Sequence, residues 1–202
     1  MNKIGILGGT FNPIHLGHLK LAETAYKELN LDKILIMPTG VSYLKSADIV
    51  KSKDIRADMV KLAINDYPYF EFSDIELKRE GNTYTYETLS YLKKQNPLVD
   101  YYYIIGADTL FSIENWKKPD EIFNKCIICV MNRDGSNCEA LQKQIEKLSC
   151  LFDAKIVILN CPEINISSSN IRKLFIENNI ADAKNMLPKD VFNYIVSNKI
   201  YN

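Results

Sequence analysis

The chain lacks any excess of one charge over the other: 25 Lys and Arg residues are balanced by 25 Asp and Glu residues, so the formal net charge is zero. The balance excludes the broad basic surface of a nucleic-acid coat or of a protein held on anionic membrane. It leaves room for a local anion site. No apolar run approaches the roughly 18 residues of a membrane span. The run Ile4 to Leu7 is too short for a secretory leader and passes straight into glycines. Cysteine is sparse, with five residues. An odd set argues against a disulfide framework and fits a reducing cytoplasm. Cys126 and Cys129 have C-x-x-C spacing but lie in the apolar run Cys126 to Met131, which reads as a buried strand. Residues i and i+3 of a strand face opposite ways, so neither metal nor redox chemistry is expected there. Histidine is scarcer still, and tryptophan occurs once.

The two histidines are not scattered. His15 and His18 lie three residues apart in Gly8-Gly9-Thr10-Phe11-Asn12-Pro13-Ile14-His15-Leu16-Gly17-His18, directly after Ile4 to Leu7. A short strand ends in two glycines, a turn follows, and an amphipathic segment begins. Glycines let the backbone approach an anion closely. A helix N-terminus offers free N–H groups and the positive end of its dipole. Histidines at i and i+3 share a helix face, so both could reach one phosphate. The plainer alternative is a Gly-rich turn with two surface histidines.

Along the rest of the chain, β-rich runs alternate with helical patterns. Strands are expected at Lys3 to Leu7, Lys33 to Met37, Phe70 to Phe72, Tyr101 to Ile105, Lys125 to Met131 and Lys155 to Leu159. Helices are expected at Leu16 to Asn30, Asp54 to Asn65, Tyr84 to Lys94, Ala140 to Leu151, Ser168 to Asn178 and Pro188 to Val196. Thr39 to Lys53 has no clear period and reads as a loop. The 202 residues suffice for one α/β domain with a sizeable core, and the alternation argues a parallel sheet flanked by helices. Ligands of such sheets sit beyond the carboxyl ends of the strands. The opening turn, Gly106-Ala107-Asp108, Asn132-Arg133 and the segment before Ser168 all follow strands, so they can share one crevice.

Ile166-Ser167-Ser168-Ser169-Asn170-Ile171-Arg172 is the second cluster. Serines at a helix start are ordinary N-caps. Arg172, one turn in, adds a guanidinium suited to bidentate phosphate contact. The lysine pairs Lys93-Lys94 and Lys117-Lys118 read as solvated faces, and Tyr101, Tyr102 and Tyr103 as strand and core.

Together the opening motif and Ile166 to Arg172 resemble the nucleotidyltransferase superfamily marked by H-x-G-H and I-S-S-x-x-I-R elements. Ile105-Gly106-Ala107-Asp108, the downstream Trp116, and Tyr84-Thr85-Tyr86-Glu87-Thr88-Leu89 narrow the resemblance to bacterial nicotinate-nucleotide adenylyltransferases. It spans Lys3 to about Tyr201. It implies a Rossmann-like parallel sheet of nucleotidyltransferase type in a single domain, 1–202, with 166–202 a helical part completing the ATP site. It implies transfer of AMP from ATP to nicotinate mononucleotide, with Mg2+ carried on the ATP phosphates and no protein metal site.

The resemblance also assigns residues. Gly8, Gly9, Thr10 and Phe11 line the nucleotide groove. His15, His18, Ser168 and Arg172 contact ATP phosphates, with Lys45 a further cation, and Gly106 and Asp108 lie near the ribose or magnesium. Thr85, Trp116 and Arg133 serve the mononucleotide, the indole stacking on its pyridine ring. The chain departs from the family pattern at three places: Asn12 stands where Asp is common, Val41 to Lys45 lacks the usual loop histidine, and Asp134 follows Arg133. Alternatives are another member of the superfamily, such as a phosphopantetheine adenylyltransferase or a cytidylyltransferase, and a non-catalytic nucleotide-binding regulator.

Overall fold

The computed structural model describes residues 2–40, 50–132, 138–160 and 165–201. Six strands form one parallel sheet: β1 (Lys3–Gly9), β2 (Lys33–Pro38), β3 (Phe70–Phe72), β4 (Asp100–Gly106), β5 (Ile127–Asn132) and β6 (Ile156–Asn160). Their order is β3-β2-β1-β4-β5-β6. The central strands are near-continuous apolar runs, as sheets covered on both faces require. β1 pairs on one side with β2, Ile4 opposite Lys33 through Gly9 opposite Pro38, and on the other with β4, Lys3 opposite Asp100 through Leu7 opposite Ile104. The chain winds outward from β1 to β3, then crosses back to β4 and winds the other way. The reversal leaves a crevice beyond the carboxyl ends of β1 and β4.

Strand alternation divides the core between the two faces. Leu7, Ile34, Ile36, Ile104 and Cys129 face one cluster, and Ile6, Leu35, Tyr103, Ile105 and Ile128 the other. The first face carries α1 (Leu16–Leu29), α2 (Lys53–Ile64) and the C-terminal helices α7 (Ser168–Ile176), α8 (Ile180–Met186) and α9 (Lys189–Ser197). The second carries α3 (Thr85–Gln95), α4 (Ala107–Leu110), α5 (Pro119–Phe123) and α6 (Cys138–Phe152). Ile171, Phe175, Leu187, Val191 and Ile195 share a core cluster with strand residues Ile34 and Ile36, so the C-terminal helices pack as part of the same body.

Local chemistry sets the ends of these helices. The Ser52 hydroxyl caps α2 by accepting from the Ile55 N–H at 3.3 Å, and Asn30 closes α1 in the left-handed conformation. The expected strands and long helices are all present, with ends shifted by a residue or two. The sequence pattern missed α4, α5, α8 and a 3-10 turn at Ile113–Asn115. Each is seven residues or shorter, too brief for a helical period to register. Pro119 at the start of α5 was the one local signal, since proline suits a first helical position.

Cys126 and Cys129 are buried free thiols in opposite core clusters, as the strand period predicted. Burial pushes both thiols up, Cys129 to about 12, which leaves them protonated and unreactive.

Candidate active site

β1 delivers its glycines to the crevice under tight constraint. A Cβ on Gly8 would lie 2.8 Å from the Tyr103 hydroxyl, and one on Gly9 2.8 Å from the Phe11 ring. Close approach, not a positive φ, demands glycine here. The chain then turns through Phe11, whose φ is 48°. The Phe11 ring is buried and meets the His18 ring edge-on, centroids 5.0 Å apart. Phe11 therefore touches the cavity but serves chiefly as packing beneath His18.

α1 begins immediately after this turn, with His15 as its N-cap. The His15 backbone N–H donates to Nδ1 of His18 at 3.2 Å. With Nδ1 accepting, the neutral imidazole carries its proton on Nε2. His18 therefore offers an N–H donor on its other side, and it lines the cavity.

α7 closes the site from the far end of the chain. The Ser167 hydroxyl caps the helix by accepting from the Asn170 N–H at 3.1 Å. The Ser168 hydroxyl donates to the Pro13 carbonyl at 2.8 Å. The Arg172 guanidinium donates to the Asn12 carbonyl at 2.8 Å and to the Ser169 hydroxyl at 3.4 Å. Two of its five N–H groups are so occupied. The bland role of a helix cap thus falls to Ser167, while Ser168 and Arg172 bind α7 to the glycine turn.

The resulting cavity has a volume of about 700 Å³. It brings together Gly8, Gly9, Thr10, Phe11, His18, Gly106, Asp108, Ser168 and Arg172 with Thr85 and Trp116. His15 is the exception among the described candidates. It is buried behind His18, ring stacked on ring, and is not among the lining residues. Lys45 and Arg133 lie outside the described residues.

Thr85 opens α3, and Trp116 ends the 3-10 turn with its indole edge-on to Tyr103 at 6.4 Å. The lysines after Trp116 are more than a solvated face. Lys117 Nζ sits 4.4 Å from the Tyr84 ring centroid, and Lys118 Nζ 4.7 Å from that of Tyr86. Two cation–π contacts clasp the Trp116 segment to the Thr85 segment. Lys93 is likewise engaged, donating to the Val99 carbonyl at 2.7 Å.

Several residues went unforeseen. Glu76, Thr83 and Tyr103 line the cavity. Glu76 is buried, and burial pushes its carboxyl up against the opposing pull of Thr88, Arg79, Thr83 and the Gly40 N–H. The Thr88 hydroxyl donates to it at 2.8 Å and itself accepts from Arg79 at 2.9 Å. Arg56, 1% exposed, donates to the carbonyls of Thr10 at 2.9 Å, Lys51 at 3.1 Å and Gly40 at 3.5 Å. A signal for Arg56 existed: with Met59, Val60 and Ala63 it falls on the buried stripe of α2, where a charge needs a reason. Among the described residues no three His, Cys, Asp or Glu side chains gather as a metal cluster.

A parallel sheet in this order, with a polar crevice at its switch point walled by a glycine turn, a helix-start histidine and an arginine from a C-terminal helix, defines a nucleotide-binding α/β protein. A family model described as cytidylyltransferase-like matches residues 6–174. A protein of Lachnoclostridium phytofermentans named "Probable nicotinate-nucleotide adenylyltransferase" is 38% identical over 201 residues, covering all of both chains. One of the same name from Clostridium tetani is 37% identical over 201 residues, again covering all of both. The solved Plasmodium falciparum nicotinic acid mononucleotide adenylyltransferase complexed with NaAD superposes with a TM-score of 0.82 at 23% identity, over 100% of this chain and 98% of that one, and shares the fold. The chain belongs to the nicotinate-nucleotide adenylyltransferase family of the cytidylyltransferase-like proteins.

Proposed function

We propose that this chain transfers the adenylyl group of ATP to nicotinate mononucleotide, releasing pyrophosphate and forming nicotinate adenine dinucleotide, a step of NAD biosynthesis. One observation carries the reading. A single cavity is lined at once by His18, Ser168 and Arg172, suited to phosphates, and by Thr85 and Trp116, suited to a flat aromatic ring. Full-length relatives bearing the family name support it.

The chemistry fits these groups. A phosphate oxygen of the mononucleotide attacks the α-phosphorus of ATP. A new P–O bond forms, and the bond to the bridging oxygen breaks, its electron pair leaving with pyrophosphate. The attacking phosphate is already an anion near neutral pH, so no general base is needed. Catalysis then rests on alignment and on neutralising charge that spreads over the phosphoryl oxygens. The Nε2–H of His18 and the remaining donors of Arg172 supply that neutralisation. Gly8, Gly9, Thr10, Gly106 and Asp108 shape the nucleotide groove. The C-terminal part, 166–202, completes the ATP side through Ser168 and Arg172. Magnesium enters on ATP as part of the substrate, held mainly by phosphate oxygens. Substrates of this kind and the free buried thiols fit a cytoplasmic setting. Among the described residues no helix is long and apolar enough to cross a membrane.

The test is pyrophosphate release with ATP and magnesium, comparing nicotinate mononucleotide, nicotinamide mononucleotide and phosphopantetheine. Release with the nicotinate compound, together with dinucleotide product, is expected. Release only with phosphopantetheine would overturn the substrate, and ATP binding without release would make the protein a regulator.

A further inference from the structure

The glycine turn is held from behind as well as from the cavity. Asn12 is 4% exposed, and its two oxygens serve different parts of the chain. Oδ1 accepts the phenolic O–H of Tyr201 at 2.9 Å and the Lys51 N–H at 3.3 Å. The backbone oxygen accepts Nη1 of Arg172 at 2.8 Å. One residue thus joins the Tyr201 hydroxyl to the Arg172 guanidinium. Tyr201 is itself buried after α9, with its ring 6.0 Å from that of Phe175. Phe175 and Arg172 are i and i+3 on α7, neighbours on one helix face. Tyr201 therefore reaches α7 twice, by its ring on Phe175 and by its hydroxyl through Asn12 to Arg172. Burial raises the phenol above its ordinary range, which keeps the hydroxyl a donor.

We propose that Tyr201 is a positioning residue for adenylyl transfer: its hydroxyl fixes the Asn12 side chain, and the Asn12 carbonyl in turn aims Arg172 at the triphosphate. This rests on the reading of the cavity as an ATP site. An arginine has many rotamers, and a donor misplaced by an ångström loses much of its effect on a transition state. Asn12 removes most of that freedom, provided Asn12 is itself fixed. A purely structural Tyr201 would need only its ring, which already packs on Phe175. The hydroxyl is the part that bears on Arg172.

Tyr201→Phe separates the two roles, since it keeps the ring and removes one donor. In the full chain, kcat/KM for ATP is expected to fall about three- to tenfold, the scale of one buried hydrogen bond, with KM for nicotinate mononucleotide unchanged. The decisive measurement is the cycle with Arg172→Ala. If Tyr201 acts through Arg172, Tyr201→Phe costs nothing further in the Arg172→Ala background, whereas a general loss of structure adds in full. Unchanged kcat/KM for ATP, or full additivity, overturns the inference while leaving the proposed activity standing. A wild-type protein that releases no pyrophosphate would instead sink the functional reading. Calorimetric ATP affinity then decides: weaker binding by Tyr201→Phe supports the positioning role, and equal or absent binding ends it.

Discussion

The ring of His15 lies flat against the ring of His18, centroids 3.6 Å apart and planes 26° apart. Only His18 lines the cavity. Two histidines that look equivalent in sequence thus divide their places, one facing the cavity and one backing it. His18→Ala is expected to lower kcat by about 10²–10³, the scale for one lost transition-state donor. His15→Ala should cost less in kcat and show part of its loss as a lower unfolding midpoint. Steady-state kinetics of both variants would decide, and equal kcat losses would mean that His15 also reaches substrate.

The clasp of Lys117 on Tyr84 gives the wall formed by Thr85 and Trp116 a separate handle. Trp116→Ala should raise KM for nicotinate mononucleotide roughly tenfold, the scale of one stacked aromatic ring, with little change for ATP. Lys117→Met keeps the aliphatic stem but not the cation. It should raise the same KM by about two- to fivefold, and Lys117→Arg should restore it. A parallel change in the ATP KM would refute the assignment of this wall to the mononucleotide.

Arg56 tests how the glycine turn is supported. Its guanidinium serves the Thr10, Gly40 and Lys51 carbonyls together. Arg56→Met leaves those acceptors without their donor, at an expected cost of about 3 kcal/mol or more. Arg56→Lys should recover little, because an ammonium lacks the planar fork that spans three acceptors. Urea denaturation measures both. A loss below about 1 kcal/mol for Met would mean that other groups carry the turn.

The sheet and the cavity's front wall were legible because each has a local signature. Apolar runs broken by glycine mark the strands, and the two scarce histidines beside Gly8 and Gly9 mark the turn. Ser168 and Arg172 were legible as a helix start with a cation one turn in. The pairings between distant segments that hold the wall were not. Tyr201 and Asn12 are 189 residues apart in sequence, and neither type at its position predicts the other. Glu76 reads as an ordinary surface acid until Thr83, Thr88 and Gly40 close around it. Lys117 and Lys118 read as solvent-facing because their tyrosine partners lie more than thirty residues earlier. Periodicity reports which face of an element is buried, and such pairings depend on how elements meet.

Glu76 predicts a pH dependence of stability with a definite sign. Its carboxyl is 6% exposed, and burial raises its pKa above the ordinary 4.5 despite the donors around it. In the unfolded chain the group ionises at the ordinary value. Between that value and the raised one, the folded protein holds a proton that the unfolded chain has released. The contribution of Glu76 is therefore fully present below 4.5 and is lost as pH rises through the folded pKa. Glu76→Gln, which cannot ionise, escapes that loss. Measured by urea denaturation from acid to neutral pH, the stability of Glu76→Gln relative to wild type should climb with pH above 4.5, then level off. A difference that stays flat would mean that the donors around Glu76 just offset burial, and one that falls as pH rises would mean that they outweigh it and lower the carboxyl below its ordinary value.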